Sequence, residues 1–97
     1  MRNTNLMIIL QTNHFKKTIK KFFPEQKKML DGVIKKIAKD TTIGELKKGD
    51  LSNVRVHKFK IQTQLFLLAY TYDVKNDTLS LLALGPHENF YRDLKYH

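Results

Sequence analysis

Lys47, Lys48, Arg55, His57, Lys58, Lys60 and His87 are the side chains of this sequence whose types suit chemistry on a phosphodiester. Cutting RNA through its own 2′-hydroxyl needs an acceptor for the 2′ proton, cations around the crowded phosphate and a donor for the leaving 5′ oxygen. Lysine, arginine and histidine can fill all of these roles without a metal. Lys47 and Lys48 fall in a loop, Arg55, His57, Lys58 and Lys60 on one strand, and His87 just past the last strand. Pairing of the late strands is expected to bring them to one edge of a sheet.

Other chemistries find little support. There is no P-loop, no GxGxxG and no HExxH motif, and no cysteine. His14, His57, His87 and His97 lack metal-ligand spacing, and no pair of acidic residues is placed to hold an ion. No metal and no cofactor are expected. Most of the singled-out groups also have an ordinary reading. His57 suits a half-exposed strand histidine, His14 lies beside a helix start, His97 is terminal, and the lysines of the first half suit a solvated helical face. Phe15, Phe22 and Phe23 read as core. His87 stands apart, because it follows Gly85-Pro86 in a constrained loop, where functional groups concentrate.

The elements that must position these residues fit one domain spanning residues 1–97, with 1–5 polar and frayed. Apolar residues are 41% of the 97-residue chain, enough for a core without staples. Charge is uneven: residues 1–48 carry 12 basic and 4 acidic side chains, residues 49–97 carry 6 and 5. A cationic half-surface points to a polyanionic partner. The apolar run Leu6 to Leu10 is too short for a signal peptide or a membrane span, so cytoplasmic residence and no membrane partner are the default.

The same run reads as a strand. Thr12 or Asn13 caps a helix whose stripe is Phe15, Ile19, Phe22 and Phe23. Pro24 ends it and suits the first turn of a second helix, with Leu30, Val33, Ile34, Ile37 and Ala38 on its apolar side. Residues 40–53 read as an ordered loop pinned by Ile43, Leu46 and Leu51. From Val54 the period changes to two, and it slips between Val54/Val56 and Phe59/Ile61. The slip predicts a β-bulge near His57-Lys58 that keeps all four facing inward. Gln62-Thr63-Gln64 and Lys75-Asn76-Asp77 read as turns between strands 65–72 and 79–84. Gly85-Pro86 ends the last strand, and a short amphipathic tail follows from His87 to Lys95. The expected fold is α+β: an N-terminal strand and a two-helix hairpin packed on one face of a small, mainly antiparallel sheet, with a short C-terminal tail. Strands 65–72 and 79–84 are apolar on both faces, so a partner is expected to cover part of the second face.

The run Leu79-Ser80-Leu81-Leu82-Ala83-Leu84-Gly85-Pro86-His87-Glu88-Asn89-Phe90-Tyr91 resembles the ending of RelE/ParE-superfamily toxins from bacterial type II toxin–antitoxin modules. Ribonuclease members end with a strand, a glycine, a histidine and an aromatic, and Gly85, His87 and Tyr91 stand at the family spacing. Leu46-Lys47-Lys48-Gly49, before a basic strand, resembles the family's Leu-basic-Gly element. The order of elements agrees over residues 7–95. The resemblance implies a small basic toxin neutralised by a cognate antitoxin laid over the sheet. RelE-like members cut mRNA, usually on the ribosome and without metal, whereas ParE-like members poison DNA gyrase and lack the nuclease residues. The sequence departs from the ribonuclease pattern at Leu67, where those members carry an arginine ahead of an apolar pair and a tyrosine.

Carried onto this chain, the resemblance makes His87 the general acid, with Arg55 and Lys58 on the scissile phosphate. Lys47, Lys48, Lys60 and Arg92 are then RNA-binding cations, and Tyr91 stacks on a base or positions His87. His57 or a lysine accepts the 2′ proton. Leading expectation is an mRNA endoribonuclease acting on the ribosome; a ParE-like gyrase inhibitor and a non-catalytic nucleic-acid-binding domain are the alternatives.

Overall fold

The structure is a computed structural model that describes residues 6–47 and 53–87. The C-terminal tail beyond His87 lies outside the described residues. The elements run β1 (Ile8–Gln11), α1 (Asn13–Lys20), α2 (Pro24–Lys39), β2 (Glu45–Leu46), β3 (Arg55–Ile61), β4 (Gln64–Asp73) and β5 (Thr78–Pro86). Among the described residues the strands form one sheet in the order β1-β5-β4-β3-β2. β1 runs parallel to β5, and the other neighbours are antiparallel. No helix among the described residues is long and apolar enough to cross a membrane.

The helices start where local chemistry starts them. Thr12 is the N-cap of α1, and its hydroxyl accepts from the Phe15 N–H at 3.1 Å. Pro24 opens α2 at a position where its missing N–H costs nothing. Gln26 reaches back to accept from the Phe23 N–H at 2.8 Å. Past the end of α2, the Asp40 carboxylate accepts from the Thr42 N–H at 3.1 Å and its hydroxyl at 2.6 Å, and the chain turns toward the sheet. Those two hydrogen bonds also hold the Asp40 carboxyl below its ordinary pKa.

The helical stripes pack on one face of the sheet, with one correction: α1 ends at Lys20, and Phe23, expected in the core, is the N-cap of α2 and 72% exposed. Phe15, Leu30 and Ile37 meet Ile61, Phe66, Leu68, Tyr70, Leu79, Leu81 and Leu84 in a single buried cluster. Phe22 meets Phe66 edge-on, with ring centroids 5.5 Å apart. The lysines of α1 and α2 are all exposed, as a stripe of this width requires.

Several expectations need correction. β3 does not bulge at His57-Lys58: it pairs with β4 rung for rung from Arg55–Tyr70 to Ile61–Gln64. The phase slip is a change of face. Val56 joins Leu67, Ala69 and Ala83 on the side away from the helices, while Phe59 and Ile61 join the helix-side core. Apolar neighbours on both faces of β4 make either phase favourable, so a regular strand can switch sides. The irregularity lies one strand over, between Ala69 and Tyr70, where β5 carries Leu82 as an extra residue. Gly85-Pro86 does not end β5: both still pair, with Leu67 and Phe66. Proline is tolerated at this terminal position, where one missing N–H removes little of the ladder. The loop expected over 40–53 contains a two-residue strand, β2. On the second face Val56, Leu67, Ala69 and Ala83 form a buried cluster, with Leu67 and Ala69 at 0% exposure.

Candidate functional site

Strand pairing sorts the expected site residues into two groups, because paired residues share a face and neighbours along a strand alternate. On the face away from the helices, one rung reads Lys58–Leu67–Gly85. The next pairs Lys60 with Leu65, and the His87 N–H donates to the Leu65 carbonyl at 3.3 Å, which extends that rung to His87. Lys58, Lys60 and His87 are all exposed. Two strand spacings separate the Lys60 and His87 backbones, about 10 Å, a span that a lysine side chain and an imidazole can close onto one phosphate.

Lys47 belongs to the same face, one edge further out. Its N–H donates to the Val54 carbonyl at 2.8 Å, and its ammonium pairs with Glu45 at 2.9 Å. The hydrogen bond and charge of Lys47, and more weakly the charge of Lys58, hold the Glu45 carboxyl below its ordinary pKa. Glu45 therefore stays ionised and offsets part of the positive field at this edge.

Arg55 and His57 fall on the opposite, helix-side face, which removes them from the site they were expected to share. From the rung of His87 to that of Arg55 is five residues of β4, about 17 Å of strand. The Arg55 Nη1 donates to the Gly44 carbonyl at 2.9 Å and toward the Thr42 carbonyl at 3.4 Å. It is a clamp on the loop that leads into β2. His57 stacks on Phe59 at 6.1 Å. Burial first, and then the charge of Lys36 on α2, lower its pKa. Lys48, Tyr91 and Arg92 lie outside the described residues.

Leu67 occupies the middle of the basic face, between Lys58 and Gly85, and is fully buried. The centre of this face, where the sequence resemblance led to an expected cation, is apolar. At the end of the sheet, where β3 turns into β4 and β5 ends, Thr63, Gln64, Leu65, Pro86 and His87 line an open cleft of about 460 Å³. Register gives Leu65 and His87 to the basic face and Gln64 and Pro86 to the helix side, so the cleft wraps over the sheet end. Thr63 and Gln64 read as turn residues in the sequence. Only the pairing of β4 with β5 sets that turn beside His87, so no local signal marks them.

Among the described residues no three His, Asp or Glu side chains cluster as a metal site. What the face offers is an imidazole and two ammonium groups around a shallow, solvent-open surface. That arrangement can bind a phosphodiester and deliver a proton to it.

Solved structures share this fold. The free Escherichia coli toxin RelE, in a mutant form, superposes with a TM-score of 0.70 at 12% identity, covering 94% of this chain and 92% of that one. The intact E. coli RelBE toxin–antitoxin complex gives 0.68 at 13%, covering 84% and 98%. The RelBE2 toxin–antitoxin complex of Mycobacterium tuberculosis gives 0.65 at 14%, covering 84% and 98%. No curated protein matches the sequence. Residues 9–95 match the family described as ParE-like toxin of type II bacterial toxin–antitoxin system. With nearly its whole length inside that match, and the helical hairpin and mixed sheet of the RelE toxins, the chain belongs to the ParE-like toxins of type II toxin–antitoxin systems, within the RelE/ParE superfamily.

Proposed function

We propose that this toxin is a metal-independent endoribonuclease that cuts mRNA on the ribosome, in the cytoplasm, and is neutralised by a cognate antitoxin. One observation carries the reading: register places Lys58, Lys60 and exposed His87 together on one face of the sheet. The 2′-oxygen attacks phosphorus, the P–O5′ bond breaks, and His87 protonates the departing O5′. The products are a cyclic phosphate and a 5′-hydroxyl. Lys58 and Lys60 stabilise charge on the phosphate oxygens. With His57 on the other side of the sheet, a lysine of this face or solvent takes the 2′ proton. Lys47 serves a neighbouring phosphate, and Lys48, Tyr91 and Arg92 retain the roles that the superfamily resemblance implies.

A second reading has its own observation. Buried Leu67 leaves the centre of the basic face without a cation, which favours a gyrase inhibitor that acts by binding protein. Purified toxin separates the two. Cuts in mRNA that depend on translation support the nuclease, and gyrase-dependent breaks in DNA support the inhibitor. If His87→Ala stays folded and still cuts mRNA, His87 is not the acid.

A further inference from the structure

The cleft at the β3–β4 turn has features that phosphate chemistry does not use. Leu65 and Pro86 give it apolar walls, and Thr63 and Gln64 add an exposed hydroxyl and an exposed carboxamide. Neither of those side chains makes a hydrogen bond within the described residues, so their donors and acceptors are available to a ligand. At about 460 Å³ the space falls in the range of small-ligand sites, roughly 300–1,000 Å³. A carboxamide presents a donor and an acceptor side by side, the pattern that pairs two-pronged with a base edge. The cleft opens at His87, on the rung of Lys60. A nucleotide whose phosphate lies across Lys60 and His87 has its base at the sheet end, where the cleft runs from His87 and Leu65 over to Pro86 and Gln64 on the helix side.

We propose that Thr63, Gln64, Leu65 and Pro86 form a nucleobase subsite. It receives one unstacked base next to the phosphate held by Lys60 and His87, and Gln64 reads the base edge. Apolar walls hold the flat ring, as in other recognition of single-stranded RNA. Adenine is the favoured occupant, because its amino group and neighbouring ring nitrogen complement the glutamine amide. This assignment rests on the endoribonuclease reading for the identity of the polymer, but the base site can be tested without cleavage.

The experiment is an NMR titration of the full chain with the four nucleoside 3′-monophosphates and with ribose phosphate lacking a base. The expected result is that adenosine monophosphate binds on the order of 5- to 10-fold tighter than the weakest of the four, with shifts at the Gln64 side-chain amide, Leu65 and His87. Gln64→Leu should abolish the discrimination while leaving the affinity for ribose phosphate and the remaining spectrum unchanged. A role for Gln64 in folding alone would instead disturb the spectrum throughout and weaken all ligands alike, and would overturn the proposal. Equal binding of all four nucleotides, with shifts confined to the helical lysines, would also overturn it. Base discrimination at the rim without cleavage of mRNA would sink the nuclease reading and keep the subsite. Cleavage with a base preference that Gln64→Leu leaves untouched would do the reverse.

Discussion

The Tyr70 hydroxyl occupies the space that any side chain at Gly44 would need. It accepts from the Gly44 N–H at 2.9 Å and donates to the Thr41 carbonyl at 2.7 Å. A Cβ on Gly44 would lie 2.8 Å from both the hydroxyl oxygen and ring carbon Cε1 of Tyr70. Burial raises the pKa of the phenol, so it keeps the proton that it donates. Gly44→Ala should therefore cost about 1–3 kcal/mol through overpacking, and Tyr70→Phe a similar amount by stranding a buried N–H. The double variant should cost less than the sum of the two, because removing the hydroxyl relieves one of the two 2.8 Å approaches to the methyl group and leaves the other, to Cε1. Thermal unfolding of the four proteins checks this, at about 4–8 °C per kcal/mol for a domain of this size.

Arg55 and Lys60 should separate cleanly when each is replaced by alanine. Arg55→Ala loses its hydrogen bonds to loop carbonyls, and its melting temperature should fall by the equivalent of about 1 kcal/mol. Lys60→Ala loses a phosphate contact, so its stability should hold. Its RNA affinity should drop, and the slope of log affinity against log salt should become shallower by about one. Equal loss of RNA affinity in both, at equal stability, would return Arg55 to the binding face.

Thr12 ties α1 to the bulge of β5. Besides capping the helix, its hydroxyl donates to the Leu82 carbonyl at 2.6 Å, at the residue that the ladder skips. Thr12→Ala should cost about 1–2 kcal/mol, more than Thr12→Ser, which keeps both hydrogen bonds. Denaturant unfolding of the two variants gives the comparison.

His57 should make stability fall toward acid pH. Its pKa is lowered in the folded chain by burial and then by Lys36, so the unfolded chain binds the proton more readily. The contribution of the neutral ring is full above the unfolded value of about 6.5 and is lost as pH falls from there through the folded pKa. Unfolding midpoints at about pH 8 and about pH 5.5 should therefore differ more in the wild type than in His57→Gln. An equal difference in both proteins would rule out this histidine as the source.

The sequence by itself determined the pieces. Apolar spacing drew α1 and α2, Thr12 and Pro24 set their starts, and the polar turns divided β3, β4 and β5. These are local signals, carried by residues a few positions apart, and the Gly85/His87/Tyr91 spacing pointed to the superfamily in the same local way. Tertiary structure decided which face each strand residue took. A period of two says that Val56, Lys58 and Lys60 share a side, but not which side, because β4 is apolar on both. Pairing over distances of tens of residues then put Lys58 and Lys60 with His87, and sent Arg55 and His57 to the helices. It also hydrogen-bonded Leu46 and Arg55 as strand neighbours, placed the bulge at Leu82 and carried β5 through Pro86. Register is a property of long-range partners, and no window of the chain contains both of them.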